Sequence, residues 1–244
     1  MAYTPYLSIF TALFEIAAGI WVIRGTGNKK VTVPAALILF FLAGYQVLEW
    51  FVCRNTSADF LSRLAFADVV WLPPLGVLLI HNLSGSTKKW TRWGTLSLFG
   101  GAGILTAAVL FIPTFITQTV CTVVFATYYT DTPMIYLSYA LYYNLGLLVI
   151  VFAGVYTLSH TRNDKYRPLV GDFLTGNLAF ILGALATMAF FSPTRGATPS
   201  IMCHFALLLA LFTVRMVMRL HALEAEGSRG AEAIPGAAQI NARS

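Results

Sequence analysis

Long apolar segments recur along the whole chain, and short stretches containing glycine, proline, serine and charged residues separate them. A transmembrane helix needs about 20 mostly apolar residues to cross a hydrocarbon core about 30 Å thick. Seven segments reach this length, and they are residues 6–23, 31–53, 64–83, 95–117, 134–158, 169–191 and 200–220. The pattern therefore predicts an all-α membrane protein, a seven-transmembrane helix bundle that occupies residues 1–222.

Composition supports this prediction and limits what else the chain can contain. Of its 244 residues, 57% are hydrophobic and 11% are charged, whereas about 25% of residues are charged in a typical soluble domain. Residues 223–244 are small and polar and lack an apolar period, which predicts a disordered cytoplasmic tail. At this length the helices form one bundle, and no second domain is expected.

The basic residues are distributed unevenly between the two sides of the predicted bundle. Of 16 Lys and Arg residues, only Arg54, Arg63 and Arg195 fall in the even-numbered loops. Lys and Arg accumulate in cytoplasmic loops, so the N-terminus is predicted outside and the C-terminus in the cytoplasm. The net charge of +6 is then a topology signal, and no nucleic-acid partner is predicted. The basic cytoplasmic loops offer a surface for a protein partner.

The first span contains a carboxyl group in its middle, Glu15. An ionisable side chain inside a membrane is costly, and it usually faces the bundle interior and marks a functional site. We therefore expect Glu15 to be protonated or paired. A transporter could use it as a proton-coupled carboxylate.

More polar residues are predicted near the outer ends of three other spans. Gln46 and Glu49 share one face of the second span, and Asp68 and His204 lie about one turn inside the third and seventh spans. Together they predict an outward-facing polar pocket above Glu15. The predicted ligand-binding residues are Gln46, Glu49, Asp68, His204, Glu15 and Asn144. Solvated helix ends, or for Asn144 an interhelical hydrogen bond, are the alternative interpretations.

Four local patterns predict further structure. Pro73 and Pro74 in the third span remove two backbone donors, so this helix should kink or open there. The loop at residues 118–133 should form a short helix or strand that lies over the bundle. All three cysteines are predicted on the oxidising side, where Cys121 could pair with Cys53 or Cys203. A tyrosine cluster at 136, 139, 142 and 143 either lines a pocket or packs between helices.

Three segments resemble a family of bacterial seven-helix membrane proteins with no assigned activity. They are residues 42–50 (LAGYQVLEW), residues 71–75 (WLPPL) and residues 200–206 (SIMCHFA). The resemblance carries Gln46, Glu49 and Cys203 over as matching positions, and it implies the bacterial inner membrane. The chain departs from the family pattern at Trp50, where a glycine is usual, and at His204, where an aromatic residue is usual. The third span also resembles the seven-helix sensor modules that precede bacterial histidine kinases.

These observations predict a protein that binds a small ligand at the outer site, as a transporter or a sensor, in contact with membrane lipid. One alternative is a metal-dependent hydrolase in the membrane, and it is disfavoured because His81, His160 and His221 lie at the cytoplasmic side. Another is an accessory subunit of a membrane complex. No metal or other cofactor is predicted, and retinal is disfavoured because the seventh span has no lysine.

Overall fold

The computed structural model describes residues 6–25, 27–54, 59–85, 89–122, 125–160, 165–191 and 197–232. Helices dominate these residues. They are α1 (Tyr6–Arg24), α2 (Lys29–Val52), α3 (Asp59–Val69), α4 (Leu72–Ser84), α5 (Lys89–Phe111), α6 (Pro133–His160), α7 (Arg167–Phe190), α8 (Thr198–His204) and α9 (Ala206–Glu232). A single 3-10 turn follows α5 at Pro113–Phe115, and two short strands, β1 and β2, come next.

Seven helical stretches in the described residues are long and apolar enough to cross a membrane. They are Tyr6–Arg24, Lys29–Val52, Asp59–Ser84, Arg92–Phe111, Pro133–His160, Arg167–Phe190 and Ala206–Glu226. Each coincides with one predicted span, so the prediction of seven apolar spans is confirmed. The chain is a multi-pass membrane protein.

The third span is broken between α3 and α4, as its prolines predict. Val70 and Trp71 lie outside both helices, and the Trp71 N–H donates a 3.4 Å hydrogen bond to the Asp68 carbonyl. Pro73 and Pro74 fall in the first turn of α4, where a missing N–H costs no intrahelical bond. The two prolines therefore start a new helix and do not merely bend a continuous one.

The seventh span is also broken, at Phe205, and this break was not predicted. The Nδ1 atom of His204 lies 2.7 Å from the Ser200 carbonyl oxygen, which normally accepts a backbone hydrogen bond in a helix. The Phe205 N–H donates at 3.0 Å to the Met202 carbonyl, three residues back, which is a tighter turn than the α-helical bond to the residue four positions back. The Phe205 ring lies against Gly183 of α7, where any Cβ atom would overlap it. A side-chain hydrogen bond and a close ring contact thus mark the break.

The loop predicted to lie over the bundle forms a β-hairpin. Strand β1 (Gln118–Cys121) pairs antiparallel with β2 (Ala126–Tyr129). Cys121 forms a disulfide bond with Cys53 just after α2, so of the two predicted pairings the structure has the one with Cys53. We call this end of the bundle the hairpin end, and we call the opposite end, where α9 finishes, the tail end.

Helix α9 continues to Glu232, into the segment predicted to be disordered. This part of the chain contains Ala and Glu, which are strong helix formers. The side chain of Glu224 also accepts a 3.1 Å hydrogen bond from the Asn28 N–H between α1 and α2. Local helix propensity and this contact explain the extension. The rest of the predicted tail, residues 233–244, lies outside the described residues.

Candidate functional site

A buried chain of hydrogen bonds joins α2, α8 and the hairpin. The Ser200 hydroxyl donates to Glu49 Oε1 at 2.7 Å, and the Ala126 N–H of β2 donates to the Ser200 hydroxyl oxygen at 3.1 Å. Glu49 is 1% exposed and Ser200 is fully buried. Buried polar groups are costly unless they are hydrogen-bonded. This arrangement therefore fixes the hairpin to the interior of the bundle.

A second contact between α2 and α8 lies one turn away. Gln46 donates a 2.6 Å hydrogen bond from its side-chain nitrogen to the Cys203 carbonyl. Cys203 lies in the last turn of α8, where carbonyl groups lack an intrahelical partner, and Gln46 supplies one. The spacing of three residues between Gln46 and Glu49 matches the spacing between Ser200 and Cys203. This equal spacing lets both polar side chains of α2 reach a hydrogen-bond partner on α8.

Two further carboxyl groups are buried close to this contact. Glu15 is fully buried, and neither of its oxygens has a hydrogen-bond partner among the described residues. The Oδ2 atom of Asp68 is likewise buried and unpartnered. Asp68 lies against Gly44 of α2, where an added Cβ would come within 2.8 Å of Oδ1. Glu49, Glu15 and Asp68 thus all lie in the part of the bundle around Cys203.

A cavity of about 150 Å³ adjoins Cys203. Its walls come from α2, α3, α4, α6, α7 and α8, and they are mostly apolar and aromatic. The lining residues are Leu42, Phe66, Val69, Leu72, Tyr136, Tyr139, Ala140, Tyr143, Asn144, Phe180, Thr198, Pro199, Met202 and Cys203. Val69 and Leu72 flank the break in the third span, and Cys203 precedes the break in the seventh. Both broken helices therefore border the cavity.

Few polar groups face this cavity, and only some of them have partners. Tyr139 donates a 2.8 Å hydrogen bond to the Phe66 carbonyl, and the Asn144 side-chain nitrogen donates to the Ala140 carbonyl at 2.7 Å. Within the described part of the chain, the side-chain hydroxyls of Tyr136 and Tyr143 make no hydrogen bond. Cys203 is a free thiol. The cavity thus combines an aromatic wall with two available phenol hydroxyls.

The structure places the predicted ligand-binding residues in different surroundings. Gln46 and Glu49 are buried in contacts with α8, and Glu15 is buried nearby. Asp68 packs against α2, and His204 is partly exposed, with its ring bonded to its own helix. Of the predicted set only Asn144 lines the cavity, on an exposed face of α6. Ligand contact by these residues remains a prediction.

The sequence left two roles open for the tyrosine cluster, lining a pocket or packing between helices, and the structure shows both. Tyr136, Tyr139 and Tyr143 line the cavity, whereas Tyr142 donates a 2.6 Å hydrogen bond to the Leu98 carbonyl of α5. Helical spacing is the signal that separates them, because the first three share one face of α6. The link between Ser200 and the hairpin had no signal in the local sequence, since it joins residues far apart in the chain.

A metal-dependent hydrolase would need several metal-ligating side chains close together. In the ranges that the structure describes, no three or more His, Cys, Asp and Glu side chains come together as a metal site. No family model matches the chain, and no curated protein is similar to it. The resemblance to a bacterial seven-helix family therefore stays a prediction. The cavity and its surroundings are the basis of the functional argument.

Proposed function

We propose that this protein binds a small ligand in the cavity bordered by α2, α3, α4, α6, α7 and α8, as a transporter or a sensor. The observation that carries the proposal is the cavity itself. It is concave, mostly apolar and aromatic, and has a few convergent polar groups, as ligand pockets usually do. The polar contacts of Gln46 and Glu49 stabilise one wall. In this proposal these contacts position the ligand site, and not every one of them touches the ligand.

The broken helices favour ligand binding over a purely structural role as an accessory subunit. Discontinuous helices near the membrane interior are typical of transporter binding sites, because the breaks free backbone groups and allow local movement. Here Val69, Leu72 and Cys203 bring both breaks to the cavity wall. A ligand in the cavity would contact the segments that are best able to change conformation. This geometry suits transport and sensing equally.

We further infer that the hairpin end faces the outside of a bacterial inner membrane, so that the N-terminus is outside and the C-terminus is cytoplasmic. Disulfides persist in oxidising compartments, and the Cys53–Cys121 bond lies at the hairpin end. Among described residues, Lys29, Lys30 and Arg167 lie at helix ends on the opposite side. Arg195 lies outside the described residues. Reduction of the disulfide in intact spheroplasts by a reductant that cannot cross membranes tests this orientation.

Alkylation of Cys203 tests ligand binding directly. Of the three cysteines of the chain, Cys203 is the free one. Its reaction with N-ethylmaleimide therefore reports on the cavity in the oxidised protein. Cyclohexanol, a ring-sized alcohol, is expected to slow this alkylation in a saturable way. Ala140→Trp fills the cavity and should abolish the protection. Leu141→Trp, on the neighbouring lipid-facing position that is 52% exposed, should retain it.

Mass spectrometry of the intact protein measures the alkylated fraction, and gel filtration checks that each variant is folded. If cyclohexanol gives no protection of the wild-type protein at any concentration that leaves it folded, the cavity is not a ligand site. Equal loss of protection in both Trp variants would show that the effect does not depend on the cavity. Either result contradicts the proposed function.

A further inference from the structure

We propose that the ligand is an uncharged, membrane-dissolved amphipathic molecule that carries a carbonyl or hydroxyl group. It enters the cavity sideways from the bilayer, between α6 and α8, and not from the water at the hairpin end. This proposal rests on the ligand-binding function and adds to it a class of ligand and a route. Four observations carry it: the position of the opening, its surroundings, the closed roof and the polar groups.

The exposure of the lining residues locates the opening. The deep wall is closed, since Phe66 and Phe180 are each 1% exposed. At the opposite side, Asn144 is exposed and Ala140 of α6 is partly exposed. Across from them, Thr198 and Pro199 of α8 are partly exposed as well. The cavity therefore opens at the surface of the bundle between the first half of α6 and the start of α8.

The surroundings of this opening are those of a lipid-facing surface. Asn144 has exposed leucines next to it on α6, with Leu141 52% and Leu145 58% exposed. At a rise of about 1.5 Å per residue, Asn144 lies about 16 Å along the helix from Pro133. That places it deep in a hydrocarbon core about 30 Å thick. Where Asn144 borders it, the opening therefore meets lipid chains and not water.

Aromatic packing closes the cavity toward the hairpin end. The Phe66 ring, which lines the cavity, packs against Phe115 at 5.5 Å and against Tyr128 of β2 at 4.9 Å between ring centroids. Phe115 is fully buried, and Tyr128 also lies 3.1 Å from the Tyr45 hydroxyl. The Cys53–Cys121 disulfide holds the hairpin in place above them. We call Phe66, Phe115, Tyr128 and the hairpin above them the roof. Among the described residues, no comparable layer covers the side of the cavity that faces the bilayer.

The polar groups at the cavity select an uncharged ligand. Its lining contains no Lys, Arg, Asp or Glu, so a charged group would be desolvated without a counter-charge. Tyr136 and Tyr143 offer hydroxyl donors, and Asn144 retains a carbonyl acceptor. A ligand carbonyl or hydroxyl can satisfy these groups, which are otherwise costly to leave unpaired. A volume of about 150 Å³ suits one six-membered ring or a short chain, so a larger molecule would leave its remainder in the bilayer.

The route can be tested with two maleimides that differ in membrane solubility. N-cyclohexylmaleimide partitions into bilayers, whereas a sulfonated maleimide stays in water. In oxidised protein reconstituted in liposomes, the first is expected to alkylate Cys203, and the second should fail even when present on both sides. Cyclohexanone, as a carbonyl-bearing probe, should slow the first reaction. Cyclohexane, which lacks the polar group, should slow it less.

Substitutions at the opening sharpen this test. Asn144→Trp obstructs the opening and should slow alkylation by N-cyclohexylmaleimide about tenfold or more. Leu145→Trp is the matched control on the neighbouring lipid-facing position and should leave the rate within about twofold. If Asn144→Trp does not insert, Ala140→Leu narrows the same opening. If cyclohexanone and cyclohexane slow alkylation equally in the Tyr143→Phe variant, the Tyr143 hydroxyl makes the polar contact with the ligand.

The possible results separate the route from the function. Equal labelling by the sulfonated reagent would show access from water and would overturn the route, while protection by cyclohexanone would still support the ligand site. Failure of cyclohexanone to protect, with alkylation intact, would contradict the ligand site itself. If Cys203 reacts with neither reagent in the folded protein but does react in detergent-unfolded protein, the cavity has no opening, and the lateral route is wrong.

Discussion

At the hairpin end of the bundle, polar groups are buried deep between helices, two spans are broken and a cavity remains. At the tail end the described helices are continuous, and a buried carboxyl group is paired with two arginines. Asp172 of α7 lies 3.0 Å from Arg219 and 3.4 Å from Arg215 of α9. By contrast, both oxygens of Glu15 lack a partner among described residues. Unpaired groups and broken helices concentrate in the half that we assign to ligand binding.

This difference shows how one bundle can combine a fixed half with an adaptable one. At the tail end Gly25 and Gly27 allow the backbone to lie directly against the His221 ring. At the hairpin end, Gln46 and Glu49 hold α8 at two points and leave a cavity beside it. Removing contacts in the two halves should therefore have unequal effects on stability and on the alkylation of Cys203.

The largest effect is expected from loss of the disulfide that holds the roof. It links residues separated by 68 positions, and native disulfides closing long loops typically contribute about 2–4 kcal/mol. The Cys53→Ser/Cys121→Ser variant should lower the unfolding midpoint and let the sulfonated maleimide reach Cys203. A reductant should have the same effect on the wild type and no effect on the double variant. An unchanged midpoint would show that the roof holds without its covalent link.

Ser200→Ala should have the next largest effect. The change removes the acceptor for the buried Ala126 N–H, and a buried group left unsatisfied costs about 1–3 kcal/mol. It also removes one donor to Glu49, which keeps another interaction. Differential scanning fluorimetry should therefore show a clear loss of stability together with faster alkylation of Cys203.

Thr213→Val is the matched control in the tail half. Thr213 is fully buried, and its hydroxyl donates only to the Leu209 carbonyl of its own helix at 2.8 Å. Its removal leaves no buried donor unpaired, so the expected loss is below about 1 kcal/mol. Similar losses in Ser200→Ala and Thr213→Val would break the distinction between the two halves.

The seven apolar helices could be predicted from the sequence, because membrane helices are recognised by their length and apolar composition. The break at Pro73 and Pro74 was also predictable, since proline acts on the backbone locally. The break at Phe205 was not, because it depends on a ring contact with Gly183 of another helix. The helical end of the chain beyond residue 223 depends partly on the contact between Glu224 and Asn28, which local composition does not show.

The candidate site was predicted only in part, for a related reason. The cost of placing polar and ionisable side chains in a membrane drew attention to Glu15, Gln46 and Glu49, and the structure shows all three buried. Sequence could not show that Gln46 and Glu49 bond to α8, because their partners lie over 150 residues away. The cavity arises from the shapes of six helices together. Tyr143 looks like any packed aromatic residue until its neighbours are known.

The smallest predicted effect belongs to the tail end. Asp172→Asn removes both ion pairs, but the side chains of Arg215 and Arg219 are 55% and 41% exposed, so solvent screens the attraction. We expect a loss of about 1 kcal/mol or less, reduced further by high salt, and no change in alkylation of Cys203. Unfolding midpoints at low and high salt measure the first effect. Asp68→Asn is the matched change at the hairpin end, and it should alter the alkylation rate because Asp68 packs against Gly44 and the next residue, Val69, lines the cavity with Cys203. If Asp172→Asn changes that rate as much as Asp68→Asn does, the two halves are coupled, and the tail end takes part in opening the cavity.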